Sequence, residues 1–83
     1  MDTTTISANF STLIMSIASS AAMSLGLAPD PQTGQIHKDK SMAKFNIDLL
    51  LILQEKTKNN LTQEESHLIS HLITDLQMHY VKN

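Results

Sequence analysis

Charge is distributed very unevenly along this chain. Residues 1–29 carry one charged side chain, Asp2, while the remaining 54 residues carry the other 13. A helix that faces water normally displays Lys and Glu, so the first third has to be covered by something other than water. The charge-free window from Thr3 to Pro29 raises a membrane segment as the first possibility. Its apolar part, Leu13 to Leu27, covers about 15 residues, short of the roughly 20 needed to cross a bilayer, and it contains four Ser. No Lys precedes position 38, so the basic flank of a signal peptide is missing as well. The expectation is a soluble, cytoplasmic chain whose first helix is covered by protein.

The local signals describe an all-α protein of three helices. Residues 1–8 are polar and aperiodic and read as a flexible N-terminal arm, leaving 9–83 as a single helical domain. Ser7 or Asn9 can cap a first helix from about Phe10 to Leu25. Gly26 sits where a left-handed cap is needed, and Leu27 should fold back on the last turn. Ala28-Pro29-Asp30-Pro31 cannot continue a helix, which makes residues 28–37 a loop. A second helix should start near Asp39 and run to about Lys58, with Asn59 and Asn60 supplying the stop. Thr62-Gln63-Glu64-Glu65 is a capping box and opens a third helix to about Val81. The short connection between helices two and three implies an antiparallel hairpin.

Helical periodicity assigns each helix a face. In helix three, Leu68, Ile69, Leu72, Ile73, Leu76 and Tyr80 form one stripe about 140° wide. Helix two is apolar around roughly 260° of its circumference, from Met42, Ala43, Phe45 and Ile47 to the run Leu49–Leu53, with Lys44, Asp48 and Glu55 in the narrow polar strip. Helix one has a large apolar stripe (Phe10, Leu13, Ile14, Ile17, Ala21, Leu25) and an opposite face of Thr, Ser, Ala and Met without charge. Small residues recur every four positions at Ser16, Ser20 and Ser24, and at Ala18 and Ala22, a spacing that lets helix backbones approach closely. Three helices with this much apolar surface exceed what 83 residues can bury alone. The expectation is a fold completed by dimerisation through helices one and two, with Ile14, Ile17, Ala18, Ala21, Leu50 and Leu53 at the interface. A tight monomer with helix two at its centre is the plainer alternative.

Chemistry is sparse. There is no Cys, which removes disulfides, thiolate metal sites and thiol nucleophiles. All six basic residues are Lys and the net charge is −2, so no nucleic-acid partner is expected. His67, His71, Asp75 and His79 recur every four residues on helix three, and His67 with His71, or His71 with Asp75, has the spacing to share a metal. The row drifts about 40° per step, so the four cannot converge on one ion; a solvated face with helix-surface hydrogen bonds accounts for them better. None of the Ser or Thr residues lies in a nucleophile-elbow or phosphate-loop context. Glu64 and Glu65 are explained by the capping box. Asn60-Leu61-Thr62 matches a glycosylation sequon but is absorbed by the turn. No enzyme, no cofactor and no metal are expected.

Several blocks resemble a known family. Phe10-Ser11-Thr12-Leu13, Ala18-Ser19-Ser20-Ala21 and Leu25-Gly26-Leu27-Ala28-Pro29-Asp30-Pro31 resemble the opening of the bacterial domain-of-unknown-function family 1844. Ile47-Asp48-Leu49-Leu50, Glu55-Lys56-Thr57-Lys58, Asn60-Leu61-Thr62 and Glu64-Glu65 continue the likeness, and Tyr80-Val81 resembles its close. The resemblance implies a small, mostly helical bacterial protein and no activity. This chain departs from the family with Asn59 in place of a Gly and with His67, His71 and His79 on a face the family fills with Glu and Arg. The function expected is a non-enzymatic, homo-oligomeric interaction or structural module. The alternatives are a membrane-peripheral module docking through helix one, where membrane contact is not favoured, and a metal-binding accessory protein.

Overall fold

The structure, a computed structural model, describes residues 8–82. The expected arm, 1–8, lies outside the described residues except for Ala8. Three helices follow one another: α1 (Phe10–Ser24), α2 (Lys40–Lys56) and α3 (Gln63–Lys82). No strand is present among the described residues; the one bridge, Leu25 with Lys38, ties the two ends of the α1–α2 loop together.

Each helix end has a local cause. The Asn9 side chain accepts the Thr12 N–H at 2.8 Å, which makes Asn9 the cap of α1. At the other end the Leu27 N–H bonds to the Ala22 carbonyl and the Gly26 N–H to that of Met23. Gly26 sits at φ +80. This pair of bonds about a left-handed residue satisfies carbonyls that the helix leaves free. The chain then turns at Asp30, whose carboxylate accepts the Gln32 N–H and whose carbonyl accepts the Gly34 N–H.

Asp39 caps α2 by accepting from Met42 N at 3.1 Å, while its own N–H donates to the Ser24 carbonyl. The end of α1 is thereby fixed to the start of α2. The helix stops at Lys56, two residues before the expected end, where the Thr57 hydroxyl donates to the Leu53 carbonyl. Asn59 takes the left-handed turn at φ 71. In the capping box, Thr62 Oγ1 accepts the Glu65 N–H at 3.1 Å and Glu65 Oε1 accepts the Thr62 N–H at 2.9 Å.

Helices α2 and α3 run antiparallel. Lys40, at the start of α2, donates to the Tyr80 carbonyl near the end of α3 and lies 4.0 Å from the centre of its ring. Further along, Gln54 Nε2 donates to Ser70 Oγ at 3.0 Å. All three helices pack on one another and meet in a core of Ile14, Ala18, Ala21 and Leu25 with Ala43, Ile47 and Leu50 and with Ile69, Ile73 and Leu76. The three- and four-residue steps between these positions are the helical core spacing. Ala18, Ala21 and Ala43 let the helices approach closely at the centre. The buried polar side chain Asn46 donates from Nδ2 to the Met42 carbonyl within its own helix.

Candidate interaction surface

The core assigns places to the six residues expected at a chain-to-chain interface. Ile14, Ala21 and Leu50 are fully buried and Ala18 nearly so, all within the single chain. Ile17 and Leu53 are partly buried against the same core. Four of the six are thus committed to the chain's own core, and Ile17 and Leu53 pack partly against it. The physical reason is that the stripe of α1 and the inner stripe of α2 cover each other, so that the most apolar positions are consumed first by the chain's own fold.

What stays outside is a second stripe on α2. Met42, Phe45 and Ile52 are about half exposed, at 48%, 54% and 53%, and Leu49 lies among them, partly exposed. At 100° per residue these four fall within roughly 80° of the helix surface. On one side the stripe is bordered by the polar strip of Lys44, Asp48 and Glu55, where Lys44 Nζ meets Asp48 at 2.9 Å. The hydrogen bond that Lys44 donates to Asp48, and then the Asp48 charge, hold the Lys44 ammonium above the ordinary lysine value. On the other side lies α1: Met42 and Asn46 share a shallow cleft with Ser20, Met23 and Ser24. The outward face of α1 beyond it, with Thr12, Met15, Ser16 and Ser19, carries no charge, and the Ser16 hydroxyl is turned back onto the Thr12 carbonyl.

Half of this surface was legible in the sequence. The excess apolar circumference of helix two is real, but the exposed stripe is Met42, Phe45 and Ile52 with partly exposed Leu49, while Leu51 is exposed beyond the polar strip, Leu50 is buried and Leu53 packs partly against the core. The spacing of the first four (i, i+3, i+7, i+10) was the available signal. It marks a complete second helical stripe offset from that of Ala43, Ile47 and Leu50.

Two of the cavities among the described residues are open. The cleft between α1 and α2 holds about 240 Å³, below the 300 Å³ at which ligand pockets usually begin. Of the polar side chains lining it, Asp30 is engaged in a turn, Asp39 in a cap and Asn46 on the Met42 carbonyl. A wider depression of about 470 Å³ at the α2–α3 turn is open and lined by turn residues such as Lys58 and Asn59. On α3, His67, His71 and Asp75 are exposed, and His79 Nε2 lies 3.9 Å from Asp75. Among the described residues no three His, Asp or Glu side chains come together in a group able to hold a metal ion. No helix among them is long and apolar enough to cross a membrane.

Among the described residues, fold and surface together define a small all-α domain of three helices with an exposed apolar stripe on α2. The model of a domain of unknown function (DUF1844) matches residues 7–82, and the chain belongs to that family. No curated protein and no solved structure matches the chain.

Proposed function

We propose that this protein is a non-enzymatic interaction module that associates with a second copy of itself through the α1–α2 face. The observation behind the proposal is the Met42–Phe45–Leu49–Ile52 stripe, lying next to a helix face without charge. Large apolar patches on small domains mark association surfaces. A second copy is the simplest occupant, because closed two-fold pairing covers two such stripes at once.

The energetics favour a modest assembly. Burying the exposed half of a Met, Phe or Ile side chain contributes about 1 kcal/mol. Met42, Phe45 and Ile52 on two chains therefore supply about 6 kcal/mol, against an association cost of about 4–15 kcal/mol. Leu49 and the α1 face must contribute for the pair to hold, so assembly depends on concentration. Light scattering over a dilution series is the test. The expected result is a mass rising from 9.2 kDa toward twice that value, and Phe45→Ser should abolish the rise with helical content unchanged. A 9.2 kDa species at every concentration overturns the proposal.

A further inference from the structure

We infer that two copies pair with their α2 helices antiparallel, the two-fold axis passing beside Leu49 at right angles to the helices; this deepens the assembly proposed above and presupposes it. The inference rests on what flanks the stripe. The Lys44–Asp48–Glu55 strip lies on one flank and uncharged α1 on the other.

A two-fold axis parallel to α2 would set each charged strip against the partner's uncharged α1, stripping water from Glu55 and from the Lys44–Asp48 pair with no opposite charge on the partner to replace it. A two-fold axis perpendicular to α2 brings like flank to like flank. Strip then meets strip, and the uncharged α1 faces of the two chains meet each other.

The order of charges along the strip suits that reversal. Lys44 lies toward the start of α2 and Glu55 toward its end. In a pairing centred on Leu49, Lys44 falls within about 1.5 Å, one residue's rise, of level with the partner's Glu55. Phe45 comes equally near to level with the partner's Ile52. The parallel alternative places no opposite charge opposite either residue. The two Asp48 carboxylates lie nearest each other beside the axis, and each is already bonded to its own Lys44 at 2.9 Å. The reversed helix dipoles point the same way as the charges, favouring antiparallel neighbours.

Because the chain has no cysteine, single cysteines report the geometry without background. Leu49→Cys places two thiols beside the axis, where facing helices 8–10 Å apart bring Cα atoms within disulfide range. Met42→Cys places them about 21 Å apart along the helix, out of reach. Under mild oxidation Leu49→Cys should give a reducible covalent dimer and Met42→Cys none. If both cross-link, the helices are parallel and the inference fails while the two-copy assembly stands. If neither does and light scattering still shows a dimer, the surface lies elsewhere and the inference fails. If neither does and every species is 9.2 kDa, the assembly itself is overturned. As a second measurement, Lys44→Glu and Glu55→Lys should each weaken the pair by about two- to fivefold. Combining them should restore it; a combined variant no tighter than either single one overturns the antiparallel register.

Discussion

Replacing Leu50 by Ala separates the chain's own core from its outer surface. Leu50 has no exposed area and lies among Ile14, Ala43 and Ile73 in the central cluster. Removing three buried carbons forfeits their transfer free energy and leaves a cavity, together about 2.7–5 kcal/mol for buried Leu→Ala changes. A domain of this size has about 4–12 kcal/mol of stability in total, so the variant stands at the edge of folding. With a shift of about 4–8 °C per kcal/mol, a loss of about 3 kcal/mol lowers Tm by about 12–24 °C. Far-UV circular dichroism during urea and thermal unfolding measures this directly. The urea slope should stay that of wild type, because both states expose nearly the same surface as before. The decisive control is dilution: association adds stability that fades as protein concentration falls, whereas a core defect persists at the lowest concentration. A loss below about 1 kcal/mol, or one that disappears on dilution, would place Leu50 between chains and not within one.

Ala18→Glu should unfold the chain instead of merely separating two copies, because Ala18 is 6% exposed and an unpaired carboxylate there has no partner; retained helical circular dichroism in this variant counts against the core described. Asn59→Ala should cost about 1 kcal/mol, because Ala keeps the Cβ but loses the short polar side chain that lets Asn tolerate the left-handed region, whereas Asn59→Gly should cost nothing, and equal urea midpoints for the two would argue that φ 71 is not the cause. The raised pKa of Lys44 stabilises the folded state fully below about 10.5, and that contribution is lost as pH rises through the folded value. Lys44→Gln should therefore lower the urea midpoint slightly at neutral pH, the pair being exposed, and the gap should close in strong alkali; a gap that persists there means the ion pair is not its source.

The helix boundaries were legible because each is written in side chains that act on their immediate neighbours. Asn9, Gly26, Asp39, Asn59 and the Thr62–Glu65 pair all make the bonds their residue types suggest. The antiparallel hairpin followed from a connection too short for any other course. The division of apolar residues between inside and outside was not legible. Leu49, Leu50 and Ile52 are chemically close to interchangeable, and which of them turns inward depends on where α1 crosses α2. That crossing is set by Ala18, Ala21 and Ala43, whose small size admits a close approach but adds little to a hydrophobic pattern. Leu13 shows the same limit, since it belongs to the expected apolar stripe of α1 yet remains 47% exposed.

The two stripes of α2 report on different equilibria. Ala43, Ile47 and Leu50 leave water when a single chain folds, so their burial enters the folding free energy. Phe45 and Ile52 are largely in water both before and after that step, and much of their apolar area is still available to a later one. Changes along the inner stripe should therefore move unfolding midpoints at every concentration. If the proposed assembly holds, changes along the outer stripe should move the concentration at which copies associate and leave the dilute midpoint nearly where it was. The charge asymmetry of the sequence fits this division. α1 has no charged side chain: its inward face completes the core, and in the proposed assembly its outward face would be covered by the second copy. A Lys or Glu on the α1 flank of that stripe would weaken association without touching the fold.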